Sequence, residues 1–161
     1  MADVVAFDQT PWKIELFEIL EETFEHHHGH YLDKGTSLFE TLRAIDSRQA
    51  SVPVGAACAP LSAQVAHVTF YLEVLERAIF AGDEGKVDWD EIWRTVGVVT
   101  PEEWDALRDD LERAYRRVVA ALRAVEAWEA ERHFSGALSM VVHTAYHLGE
   151  IRQSLCAIGR P

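Results

Sequence analysis

Apolar residues recur at helical spacing along almost the whole chain. Trp12, Leu16, Phe17, Leu20 and Phe24 share one face, with Glu15, Glu18, Glu21 and Glu22 between them, which predicts an amphipathic helix. Thr10 serves as its expected N-cap, Pro11 fits the first helical position, and Gly29 is its expected end. Ser37 and Glu40 form a capping-box pattern that opens a short helix through Leu42 and Ile45. After a break at Pro53, Gly55 and Pro60, a more apolar stripe begins at Leu61. Val65, Val68, Leu72, Leu75 and Ile79 lie on it, and Phe70, Tyr71 and Val74 widen it, so this helix is expected to be mostly buried and to end near Gly82. Residues 83–99 read as a polar connector with one turn around Ile92 and Trp93. Thr100, Pro101 and Glu103 are the clearest helix start in the chain, and Trp104, Leu107, Leu111, Tyr115, Val118, Leu122 and Val125 carry that helix to about Trp128. A last helix runs from about Gly136 to Ile158, with Gly159 as C-cap and Pro161 beyond.

Four substantial helices and no strand pattern predict an all-α fold. The expected architecture is a four-helix bundle in one domain spanning 1–161, whose long helix 1–helix 2 connection carries a short extra helix. An up-down-up-down order makes the second and fourth long helices parallel.

Composition narrows the function. The 161 residues carry 15 Lys and Arg against 27 Asp and Glu, a formal net charge of −12. Such a balance argues against nucleic-acid binding, which draws its affinity from cations on phosphates, and against docking on an anionic membrane. No apolar run approaches the ~18 residues of a membrane span. The segment Met1 to Asp8 has no basic region of the signal-peptide kind. The two cysteines, Cys58 and Cys156, fall in no paired motif, so the chain is expected to be soluble and cytoplasmic.

The histidines supply the candidate chemistry. His143 and His147 stand at i and i+4, one turn apart on a single face of the last helix, a spacing that can grip one divalent cation. His67 interrupts an apolar helix, where an unpartnered imidazole would be costly to bury. It lies six residues into its helix, and His143 and His147 lie seven and eleven into theirs. With ~1.5 Å rise per residue and parallel helices, the three rings reach a common depth. Three neutral imidazoles suit Zn²⁺, Ni²⁺ or Fe²⁺ with positions left open.

Ala63 to Tyr71 (AQVAHVTFY) and His143 to Ile151 (HTAYHLGEI) together resemble the DinB-like superfamily, four-helix bundles with one His on the second helix and an H-x-x-x-H pair on the fourth. Tyr31 to Leu38 and the stretch from Trp93 to Trp104 extend the similarity over most of the chain. The resemblance implies Zn²⁺ or Ni²⁺ held by His67, His143 and His147. Several relatives are S-transferases or isomerases that use low-molecular-weight thiols, so it also implies a small-molecule substrate, with a thiol as co-substrate. A metal-dependent hydrolase and a non-enzymatic, stress-associated metal-binding protein are the alternatives. Members of this family often pair through long helices, and the first two long helices here carry surplus apolar surface, so a homodimer is expected.

Glu150, three residues after His147, is open to four roles: fourth ligand, acceptor orienting an imidazole, catalytic base, or plain surface carboxylate. Cys156 reads as a small packing residue and His133 as an exposed turn residue. The tryptophans Trp89, Trp93, Trp104 and Trp128 read as core or bundle-edge residues, though the resemblance leaves one of them free to line a metal cleft. The run His26-His27-His28, with His30, reads as a solvated helix end capable of weak adventitious metal binding.

Overall fold

A computed structural model describes residues 9–55, 58–83 and 85–159. The N-terminal segment and Pro161, on which two of the expectations above fall, lie outside the described residues. The described chain is all-helical, with no strand. Four long helices, α1 (Thr10–Phe24), α4 (Leu61–Glu76), α6 (Pro101–Ala124) and α7 (Ser135–Ile158), share one apolar core. Three short ones, α2 (Leu38–Arg43), α3 (Ser47–Ala50) and α5 (Glu91–Thr95), sit in the connections. Wider π-helical turns, Arg77–Ala81 and Ala130–Phe134, extend α4 and precede α7.

Two of the expected capping signals act where the sequence places them, but Thr10 is the first residue of α1 and not its cap; Gln9 holds the N-cap position without a side-chain cap bond. Ser37 and Glu40 close a reciprocal box at α2, and Thr100 and Glu103 close one at α6 with Pro101 in the first turn. A third box, Asp46 with Gln49, starts α3, which the hydrophobic pattern did not indicate because four residues are too few to show a period. Trp104 is buried and donates its indole N–H to the Ile45 carbonyl at 2.7 Å, tying this connection to α6.

Side-chain pairings give the direction of each long helix. Gln9 and Lys13 at the start of α1 bond the backbone at Trp128, Val125 and Glu126, while Glu25 at its end receives the Tyr115 hydroxyl, so α1 and α6 are antiparallel. Ser62 at the start of α4 bonds the Gly97 carbonyl just ahead of α6, and Glu76 at its end takes Arg117, so α4 and α6 are parallel. Along α4, Gln64, His67, Tyr71 and Ile79 meet His147, His143, His143 and Gly136 in turn, so α4 and α7 are antiparallel. The long helices therefore run up, down, down, up.

That order corrects the expected up-down-up-down order. The reason lies in residues 85–100, which do not form a hairpin but run back along α4 toward its start. Trp89 lies against Phe70 and Tyr71, and Trp93 lies on His67. Gly136 permits the close crossing of α7 over the end of α4, since a Cβ there would stand 2.4 Å from the Ile79 Cδ1 atom.

Three local expectations change as well. The first helix ends at Phe24, not near Gly29, because the backbone N–H groups of Glu25 and His26 both turn back to the Glu21 carbonyl. Glu22, read as part of a polar face, is 0% exposed. Its carboxylate accepts the backbone N–H groups of His30, Tyr31 and Leu32 at 2.7, 2.9 and 2.6 Å. Trp12, read as part of the buried stripe, is 58% exposed, because the core takes only the Leu16–Phe24 part of α1.

Burial raises the Glu22 pKa, but the backbone donors outweigh it and hold the group at about 2 against an ordinary 4.5. Its folded pKa is depressed, so its stabilisation is complete above about pH 4.5 and is lost as the pH falls toward 2. Glu22→Gln is expected to cost about 2–3 kcal/mol in urea unfolding at neutral pH, and this difference from wild type should shrink in acid.

Candidate metal centre

His67, His143 and His147 come together at the α4–α7 seam. One ring nitrogen from each lies within 4.8 Å of the other two. The Nε2 atoms of His67 and His143 are 3.2 Å apart, and the ring centroids of His147 lie 4.9 Å and 4.5 Å from those of His67 and His143. The sequence argument placed the three at matched depth in parallel helices. The structure brings them to one level in antiparallel helices, because α4 and α7 cross where both stretches lie.

The donors are arranged for a shared cation. His147 Nδ1 faces two acceptors, the Gln64 Oε1 at 2.6 Å and the Glu150 Oε2 at 3.1 Å, so Nδ1 carries the hydrogen and Nε2 is left with its lone pair. Two Nε2 atoms at 3.2 Å must share either a hydrogen or a cation, since bare lone pairs repel. Tetrahedral coordination with Zn–N of about 2.0–2.1 Å separates two nitrogens by about 3.4 Å, close to this spacing. The buried Nδ1 atoms of His67 and His143 have no hydrogen-bond partner, so no protein acceptor competes for these rings. The group thus has the donor set and spacing to hold a divalent cation.

Aromatic rings wall the site. Tyr71 stacks on His143 at 3.6 Å and 7°, and Trp93 stacks on His67 at 4.4 Å and 30°. Trp89 approaches the edge of His67 at 6.4 Å. These contacts hold the rings in place and help bury His67 and His147. Burial accordingly lowers the pKa of all three histidines. The two neighbouring imidazoles add to this at His143, bringing it to about 3, and Glu150 opposes it at His67 and His147.

The remaining candidates fall elsewhere. Glu150 is not among the converging groups; it lies behind His147, 37% exposed, and receives the Tyr146 hydroxyl. Cys156, expected to pack, is exposed at the rim of a surface cleft with Lys34 and Arg152, because the last turns of α7 direct Ile151, Leu155 and Ile158 to the core and leave Cys156 on the outer face. His133, expected to be exposed, is buried against Trp128 and Phe80, and its Nδ1 accepts the Glu129 N–H at 3.0 Å. The wide turn before α7 folds it inward. Gln64, which sequence reasoning passed over, stands three residues before His67, a helical spacing that could have marked it.

No family model, curated protein or solved structure matches the chain. The DinB-like resemblance is therefore carried by the residues quoted above, and the class that fold and site define is an all-helical protein with a three-histidine cluster of two buried rings and one half-buried ring, His143.

Depressed histidine pKa values set the pH behaviour. The folded protein resists protons that the unfolded chain accepts below about 6.5, so cluster-linked stability is complete above that pH and is lost as the pH falls toward 3. Zn²⁺ binding is expected to persist at about pH 6, where free imidazole is largely protonated, and to release little proton at neutral pH. Isothermal titration in buffers of different ionisation enthalpy measures both.

Proposed function

We propose that the protein is a metal-dependent enzyme of the DinB-like, four-helix-bundle type, and that it transfers the sulfur of a small thiol to an electrophilic substrate. The observation that carries this reading is the convergence of three ring nitrogens on one point in an aromatic-walled seam. Zn²⁺ and Ni²⁺ suit three imidazoles best, with Fe²⁺ also compatible. A cation held there would favour the deprotonated form of a thiol or water at its remaining positions.

Each protein group then has a defined task. His67, His143 and His147 bind. Gln64 and Glu150 hold the hydrogen of His147 on Nδ1 and so aim Nε2 inward, which makes Glu150 a positioning residue acting through His147. Tyr71 and Trp93 hold the other two rings in place. No protein cysteine is required as nucleophile, since Cys58 and Cys156 are exposed and outside the cluster. Their unpaired state suits the reducing cytoplasm we assign to the protein. Among the described residues no helix is long and apolar enough to cross a membrane.

Metal-loaded protein assayed with a panel of small thiols and electrophiles is expected to turn over only with thiol present, and His143→Ala to lose that turnover. Thiol-independent turnover would identify the hydrolase instead, and equal rates in wild type and variant would identify a binding protein. Glu150→Gln is expected to weaken Zn²⁺ binding by about 10-fold, and Gln64→Ala by about 10- to 100-fold.

The homodimer belongs to the same proposal. Its face lies along α7 and the wide turn before it, where Phe134, Leu138, Val142 and Tyr146 recur every fourth residue and are all exposed. Light scattering should give twice the chain mass, and Val142→Glu should return the monomer.

A further inference from the structure

A second group of histidines stands in the loop that follows α1. Its backbone is held from within. Glu22, buried beneath it, takes three successive N–H groups from His30 to Leu32, and the His27 Nδ1–H donates to the Leu32 carbonyl at 2.6 Å. Ser37 fixes the Glu25 carbonyl from the far side at 2.9 Å. Residues 26–28 run non-helically, so His27 turns inward while His26 and His28 share the outer side, their ring centroids 4.7 Å apart. Glu21, on the last full turn of α1, presents Oε2 at 3.3 Å from the His28 Nε2 atom. Its other oxygen is held by Arg123 at 2.7 Å, and that guanidinium is itself seated over Phe17. One ligand atom each from Glu21, His26 and His28 thus lies within 4.8 Å of the others.

We propose that Glu21, His26 and His28 form a second, solvent-facing site for a divalent cation of the zinc, nickel or copper type, independent of the buried triad. Two imidazoles and one carboxylate favour these borderline metals over Mg²⁺ and Ca²⁺, which prefer all-oxygen shells. The electrostatic setting is favourable to a cation. The site sits at the carbonyl end of α1, where the helix dipole is negative, and Glu15, Glu18 and Glu22 occupy the same helix. Arg123 is the opposing charge, and it also orients the carboxylate that ligates. The adjacent group of Glu15, Glu18 and His30 offers only one imidazole and is not assigned. An open, three-donor site exchanges its metal with solvent more readily than the enclosed triad. The two sites therefore differ in affinity as well as in place.

Equilibrium dialysis of the full chain, without a purification tag, against Zn²⁺ tests this. Wild type is expected to take up two equivalents, the weaker of which survives excess Mg²⁺. His26→Gln with His28→Gln removes the weaker equivalent, and Glu21→Gln lowers its affinity. His143→Ala removes the tighter one and leaves the weaker in place. The loop substitutions are at exposed positions, and an unchanged far-UV circular dichroism spectrum confirms the fold. Unchanged stoichiometry in the double loop variant, or displacement of the weaker equivalent by Mg²⁺, overturns the proposal. A single equivalent in wild type that persists in His143→Ala and disappears in the double loop variant supports this site and counts against the triad instead.

Discussion

Ring nitrogens taken out of water between two helices need partners, and the α4–α7 seam buries such rings at a single level. An unsatisfied polar group there costs about 1–3 kcal/mol, and the surrounding residues offset only part of that cost. Gln64 and Glu150 satisfy the outward nitrogen of His147 from two different helices. Tyr71 and Trp93 cover the faces of His143 and His67, and the Nε2 atoms of these two rings turn toward one another, while their Nδ1 atoms have no protein partner.

The crossover of residues 85–100 serves the same centre. Two parallel neighbours, α4 and α6, cannot be joined by a tight turn, and the chain must return along α4. That return carries Trp89 and Trp93 past the cluster. Strand-free topology and site chemistry are thus linked: the connection that makes the helices parallel also supplies the wall over His67.

At the other polar point, Glu22 does for a loop what the cluster does for a seam. A fully buried carboxylate is tolerated because successive backbone donors point at it, and the loop takes its shape from those bonds. The positions of His26, His27 and His28 follow from that anchoring and not from any preference of histidine itself.

The amino-acid sequence alone determined the long helices, because each carries a sustained apolar period, and two of the caps, because Ser37–Glu40 and Thr100–Glu103 are reciprocal patterns within four residues. It also singled out His67, His143 and His147, since a histidine inside an apolar stripe and a pair one turn apart are local signals. Helix direction was beyond it. Periodicity is the same read up or down, and only the pairing of Gln64 with His147 and of Ile79 with Gly136 reveals the antiparallel crossing. The burial of Glu22 and His133, the stacking of Trp93 on His67 and the place of Glu150 behind His147 each depend on residues distant in the chain or on a turn whose shape is set by packing. Those are contacts between elements, and no spacing along one helix encodes them.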